Sequence, residues 1–253
     1  MLKDFKTLDV THDKTVLRVR LNQPETGNAI TSEMLAELLK VLRALEDDNS
    51  VRVMVLSGAG EDFCTGGDRR EFPALLEQDP SGASLRALAS RAQRVCAALS
   101  QQYVVTVAEL HGAVIGAGLG LAVFCDLRIG TDTCRFRMPE VGLGVPPAWG
   151  GVLPRLVEEA GQAQVRRLLL TAENFGAARA LELSILHEVV APEDLEASVA
   201  KWVRPLARRD PLTLRTTKGM LNSVAAAAEA PVGLYDEELL TASISRTSLA
   251  RRS

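Results

Sequence analysis

Apolar and polar residues alternate over Val16-Leu17-Arg18-Val19-Arg20-Leu21, the period of a strand with one buried face. The turn-forming Thr11-His12-Asp13-Lys14 just before it predicts a hairpin with Leu8–Val10. After a loop at Asn22–Asn28 the period changes. Met34, Leu35, Leu38, Leu42 and Leu45 recur at helical spacing, which predicts an amphipathic helix with Thr31 or Ser32 as N-cap. Val51–Ser57 is β-rich and mostly apolar, as a strand covered on both faces is, and it runs into the glycine-bearing loop Gly58–Asp68. A second amphipathic helix follows from Leu85, Leu88, Ala92, Val95 and Leu99, then a strand at Tyr103–Leu110 and a second glycine-rich stretch at Gly112–Gly120. Strand, loop and helix recur, which is the α/β arrangement.

Leu127–Gly130 and Cys134–Met138 read as short strands, and Gly142–Gly151, with Pro146, Pro147 and its glycines, as irregular backbone. Beyond Val152 the pattern turns mostly helical. Leu156–Leu170, Ala177–Leu183, Leu195–Ala207 and Leu212–Ala228 favour helix, with Gly161, Gly176, Pro192 and Asp210-Pro211 as breakers. No Ser- or Gly-rich linker sets this region apart.

Composition narrows the classes. With 47% hydrophobic and 24% charged residues the chain is neither disordered nor membrane-like. A net charge of −3 without long runs of one sign gives no footprint for nucleic acid, and no apolar window is long enough for a bilayer span. A cytoplasmic protein with neither a nucleic-acid nor a membrane partner is expected. Cys64, Cys96, Cys125 and Cys134 form no C-x-x-C pair and read as buried free thiols. His12, His111 and His187 lie too far apart in sequence to suggest an imidazole metal site, so no metal is expected.

Three segments can carry chemistry. Asp62-Phe63-Cys64-Thr65-Gly66-Gly67-Asp68 and His111–Gly120 both follow predicted strands, and glycines there leave N–H groups free to bind an anion or an oxyanion. The second is not a dinucleotide fingerprint, because Leu121 stands where G-x-G-x-x-G needs its last glycine. The third, Phe136-Arg137-Met138-Pro139-Glu140-Val141-Gly142-Leu143-Gly144, presents a glutamate between a proline and a glycine-rich turn. A carboxylate in apolar surroundings has its pKa raised toward neutrality, as a base for carbon acids requires; a solvated loop glutamate is the alternative.

In this order the segments resemble the crotonase, or enoyl-CoA hydratase/isomerase, superfamily. The match runs from Val16 to Lys218 through Asn28-Ala29-Ile30, Val51–Gly60, Phe63–Asp68, Ala108–Gly120, Cys125–Ile129, Phe136–Gly144, Trp149-Gly150-Gly151, Leu153-Pro154-Arg155, Leu168–Thr171 and Val189–Pro192. The resemblance implies an α/β fold with a ββα-superhelix core (residues 1–190) and a helical C-terminal trimerisation region (191–253). It implies a thioester substrate, acyl-CoA or acyl carrier protein, with coenzyme A as part of the substrate and no separate cofactor. The carbonyl oxygen is expected between the N–H groups of Gly67 and Ala117, with Glu140 as base and Asp68, Arg70, Gly116 and Trp149 about the substrate. Arg69 is a weaker candidate beside Arg70, and His111 is expected in a structural hydrogen bond.

Relatives that hydrate enoyl thioesters usually carry a second glutamate where this chain has Gly120. One remaining base suits migration of a double bond from the 3- to the 2-position better than addition of water. Hydration, decarboxylation and thioester binding without catalysis are the alternatives. Ser243–Ser253, ending Arg251-Arg252-Ser253, departs from the family's final helix, which leaves room for an acyl carrier protein in place of free CoA. A homotrimer or homohexamer is implied, with Val224–Ala228 and Leu234–Leu240 as surface to bury.

Overall fold

The computed structural model describes residues 4–228 and 241–244. It opens with the hairpin β1 (Leu8–Asp13) and β2 (Val16–Leu21), paired antiparallel from Leu8↔Leu21 to Asp13↔Val16. Thr11, His12 and Asp13 are strand rather than the expected turn, because the reversal falls on the next two residues, where Lys14 takes φ 54. Helix α1 (Ser32–Asp47) starts at the expected cap: Thr31 is extended and its hydroxyl accepts from Met34 N at 3.2 Å, a device worth about 1 kcal/mol. Its buried stripe is Met34, Leu35, Leu38, Val41, Leu42 and Leu45.

Strand β3 (Val53–Gly58) shows why its sequence is apolar on both sides. Met54 and Leu56 enter the main core, whereas Val53 and Val55 pack beneath a later helix. Helix α2 (Glu71–Gln78) has no fully buried residue, hence no apolar stripe by which the sequence announces it. Helix α3 (Ala83–Gln101) buries the predicted Leu85, Leu88, Ala92, Val95 and Leu99 and packs against α1. After β4 (Val105–Leu110), the stretch expected as a glycine-rich loop is regular over most of its length. It forms strand β5 (Ala113–Ile115) and helix α4 (Ala117–Val123), joined by Gly116.

Strands β6 (Leu127–Thr131) and β7 (Arg135–Arg137) follow, then irregular chain interrupted by a single 3-10 turn at Val141–Leu143. The helix expected over Leu156–Leu170 is two helices, α5 (Val152–Ala160) and α6 (Gln162–Thr171), because Gly161 breaks the ladder with φ 80 and ψ 144. Strand β8 (Phe175–Gly176), helix α7 (Ala177–Glu182), strand β9 (Glu188–Val190), and helices α8 (Leu195–Leu206) and α9 (Pro211–Ala228) complete the order. A further helical turn spans 241–244. Leu234–Leu240, the side chains of Val224–Ala228, and all of Ser243–Ser253 beyond Ile244 lie outside the described residues.

The strands make a six-stranded sheet in the order β1-β2-β3-β4-β6-β9, parallel from β2 onward, and a three-stranded sheet β5-β7-β8. On the second sheet Phe136 pairs with Phe175, their rings stacked 5.3 Å apart. Leu195, Val199 and Val203 of α8 cover the Val53, Val55, Val107 and Ile129 face of the first sheet, and full burial of side chains of this size is worth roughly 1.5–3 kcal/mol each. The layered α/β fold expected from the sequence is the one found.

Two polar clusters lock the later elements to this frame. The Arg128 guanidinium, 1% exposed, donates to Ile185 O, Cys125 O, Ser184 O and Glu159 Oε2 at 2.7–3.1 Å. Arg155 shares Glu159 at 2.8 Å. Lys218 of α9 donates to Val104 O at 2.9 Å and to Asp126 at 2.7 Å, and Asp126 also accepts from Thr106 N.

Candidate active site

The first glycine loop is held as a strand-like ribbon between two neighbours. Ile30 N donates to Gly66 O and Asp68 N donates to Ile30 O, a parallel bridge that leaves the N–H of Gly67 pointing the other way. On that other side Cys64 bridges Val114 of β5, with Cys64 N donating to Ala113 O and Ile115 N to Cys64 O. This close approach brings Gly66 beside the start of α4: a β-carbon on it would lie 4.0 Å from Ala117 N. Ala117 is the first residue of α4, where N–H groups have no intrahelical acceptor. Neither Gly67 N nor Ala117 N has a hydrogen-bond partner among the described residues.

Buried Asn28, with φ 54, braces the loop. Its amide donates to Ala59 O and Asp62 O at 2.8 Å, and its side-chain oxygen accepts from Gln23 N. His111 is in the expected structural role, its Nε2 3.0 Å from Gly60 O. The four cysteines are buried and form no disulfide, and burial pushes the Cys64 thiol up to about 12, so it is no nucleophile.

The parallel pairing of β5 with β7 sets Gly116 against the third segment: Gly116 N donates to Arg137 O at 2.9 Å. Three residues later Glu140 begins the 3-10 turn, and its backbone oxygen accepts from Leu143 N and Val145 N. The Glu140 carboxylate returns toward α4. A β-carbon on Gly116 would lie 2.8 Å from Glu140 Oε1, and Gly116 holds φ 50 and ψ −116, outside the range of L side chains. Oε2 is sealed from solvent and has no partner among the described residues. Burial pushes the carboxyl up to about 7, opposed only by its own backbone N–H.

The carboxylates of the first glycine loop and the residues after it are bonded to other groups. Asp62 accepts from Ala113 N at 2.7 Å and Arg135 at 3.0 Å, and Glu71 accepts from Ser32 N. Asp68 accepts from Arg70 Nε at 3.1 Å and Nη2 at 2.9 Å, which holds its carboxyl below the usual range. Arg70 itself is exposed at the edge of the site, beside exposed Arg69. Among the described residues no group of three or more His, Cys, Asp or Glu stands together as metal ligands.

Gly120 lies on α4 one turn beyond Gly116, its N–H donating to Gly116 O. Where its side chain would begin stands Trp149: a β-carbon would lie 3.0 Å from Cδ1 and 3.3 Å from Nε1 of the indole. Trp149 therefore packs over α4, and that contact is beyond sequence reading. Phe72 of α2 was likewise not foreseen; a β-carbon on Gly67 would lie 2.8 Å from its Cζ, so the ring closes one side of the first loop. A hydrophobic residue directly after the Asp68–Glu71 segment was the available signal for it.

The family model for enoyl-CoA hydratase/isomerase matches residues 11–251. The chain is similar to the crotonyl-CoA hydratase of Syntrophomonas wolfei, 31% identical over 86% of this chain and 82% of that protein. It is similar also to the peroxisomal Delta(3,5)-Delta(2,4)-dienoyl-CoA isomerase of Arabidopsis thaliana, 30% identical over 87% and 83% of the two chains. Among solved structures, an enoyl-CoA hydratase/isomerase from Marinobacter aquaeolei aligns with a TM-score of 0.81 at 31% identity, covering 98% of this chain and 92% of that one.

Proposed function

Because the chain belongs to the enoyl-CoA hydratase/isomerase family, we propose that it moves the double bond of a 3-enoyl thioester to the 2-position, with Glu140 as the single base. The observation that carries this reading is a buried, unpartnered carboxylate oxygen on a residue lifted to about 7, set against α4 where Gly120 supplies no second carboxylate.

The thioester oxygen accepts from Gly67 N and Ala117 N. Glu140 removes a proton from C2, the C–H electron pair moves into the thioester carbonyl, and the dienolate oxygen is stabilised by the two N–H donors. The protonated carboxyl then returns the proton to C4, leaving the double bond between C2 and C3. No proton is gained or lost overall. Donors already in position cost no reorganisation as charge develops, and each is worth about 3 kcal/mol. A base near neutrality is ionised often enough to react and basic enough to take the proton.

Asp68 and Gly116 shape the approach to the donors, Arg70 serves the polar end of a CoA or carrier-protein thioester, and Trp149 bounds the acyl end. Leu212, Met220 and Leu221 are exposed on α9, which supports a homotrimer or a multiple of it; light scattering at micromolar concentration checks this, and an active monomer overturns it.

The activity test incubates the protein with 3-enoyl-CoA and with 2-enoyl-CoA while conjugated-enoyl absorbance is followed. Absorbance gained from the 3-enoyl substrate supports isomerisation. Formation of 3-hydroxyacyl-CoA from the 2-enoyl substrate replaces it with hydration, and bound but unconverted thioesters replace it with a binding role.

A further inference from the structure

Gly116, the non-helical N-cap of α4, and Gly120 are four residues apart and joined by the first hydrogen bond of that helix. A β-carbon on Gly116 would lie 2.8 Å from Glu140 Oε1, and one on Gly120, a turn further on, would lie 3.0 Å from the indole of Trp149 and 3.6 Å from Val152 Cγ2. The space one helical turn from the base is filled by a ring and a methyl group.

The ring is held there firmly. Trp149 is 7% exposed, and the two residues after it, Gly150 and Gly151, take φ 56 and φ 79. A β-carbon on Gly150 would lie 2.5 Å from Cys96 Sγ, so this turn is seated directly on α3. Among the described residues Trp149 Nε1 and Glu140 Oε2 are both without a hydrogen-bond partner, and they have essentially no surface that a water could touch. Leaving such groups dry is unfavourable. A bound water is the ordinary remedy for such an atom, and neither has surface on which one could sit.

We propose that Trp149 determines reaction specificity by occupying, with its indole ring, the space beside Glu140 in which an attacking water would have to stand. The proposal rests on Glu140 being the base, as read above. With water present at that place, the carboxylate would take one proton from it while its oxygen, keeping the other hydrogen, bonds to C3 of a 2-enoyl thioester, and the proton held by Glu140 would then pass to C2. With the ring present, the proton held by Glu140 can go back only to carbon, and the double bond migrates instead.

The experiment compares wild type, Trp149→Phe, Trp149→Leu and Trp149→Ala, each checked for folding by circular dichroism and for retained binding of a saturated acyl-CoA. Products from 3-enoyl- and 2-enoyl-CoA are separated chromatographically. The ratio of 3-hydroxyacyl to isomerised product should rise by at least about tenfold in Trp149→Ala and by an intermediate factor in Trp149→Leu. It should stay at the wild-type value in Trp149→Phe, which keeps a ring and loses only the N–H.

A second readout is the pH dependence of kcat. Of the charged groups on the segments packed against the turn that Glu140 begins, Arg137 donates to Ala172 O, Arg167 of α6 pairs with Glu173, and Arg166 is exposed. Water admitted by Trp149→Ala should therefore move the rate-governing titration from about 7 toward the ordinary carboxylate range. Folded Ala and Leu variants with the wild-type product ratio and pH profile overturn the proposal, and so does a Phe variant that behaves like Ala. Hydration by the wild type instead overturns the reading of the reaction itself. Gly120→Glu should give no hydration until combined with Trp149→Ala, since the new side chain runs into the indole.

Discussion

Gly116 and Glu140 are fitted to each other, the side of the glycine where a β-carbon would stand facing Oε1 at 2.8 Å. Gly116→Ala should therefore act on both partners. The methyl group displaces the carboxylate, and an L residue is forced to φ 50. We expect kcat to fall about a hundredfold, the scale of a 1 Å misplacement, and stability to fall by more than about 1 kcal/mol. Steady-state kinetics and urea unfolding measure the two, and wild-type turnover would place the working carboxylate elsewhere.

Glu140→Gln keeps the shape and loses the base, so kcat should drop by about 10²–10⁴. With Glu140 as the proposed base, its ionised form is the reactive one, so kcat should rise with pH through about 7 and level off above it.

The same titration has a stability counterpart. The folded pKa of Glu140, about 7, lies above its ordinary 4.5, so the native state favours the neutral carboxyl. That contribution is complete below the unfolded pKa and is lost as pH rises through the folded one. Glu140→Gln should thus be more stable than wild type above pH 7, by on the order of 3 kcal/mol, and lose the advantage in acid. Denaturation at pH 4 and pH 8.5 checks the sign; the opposite sign would mean that Glu140 is solvated.

Proline is tolerated at the first position of a helix and has no N–H. Ala117→Pro should therefore remove one of the two donors while keeping α4, and kcat should fall by about a hundred- to a thousandfold. An unaffected kcat would separate Ala117 from the oxyanion.

Arg128 tests the frame rather than the chemistry. Arg128→Ala strands Cys125, Ser184 and Ile185 carbonyls and leaves Glu159 to Arg155, and the loss should be about 3–5 kcal/mol by urea unfolding. A change below 1 kcal/mol would mean that water replaces the guanidinium.

The elements legible in the sequence are those whose burial is periodic or complete: α1 with its Thr31 cap, α3, and β3 with one apolar set under α8 and the other in the main core. Helix α2 escaped because Phe72, Leu75 and Leu76 are each only half-buried, and the edge residues Thr11–Asp13 because exposed strand carries no apolar alternation. At the site, the residues themselves pointed to two glycine stretches and to Glu140, and the resemblance to the family pointed to the N–H groups of Gly67 and Ala117. The burial of Glu140 and the seat of Trp149 over Gly120 arise from chain segments that meet only in the folded state.

The bridge between Ile30 and Gly67 makes the length of the 58–68 segment a matter of parity. Successive N–H groups of a strand point to opposite sides, so adding or deleting one residue between Cys64 and Gly67 would turn a different N–H outward and present Gly67's to Ile30. A change of two restores the direction and shifts the donor by one strand repeat, about 6.6 Å, out of reach of Ala117. With Gly67 as the proposed donor, an insertion or deletion of one or two residues between Cys64 and Gly67 is expected to abolish turnover.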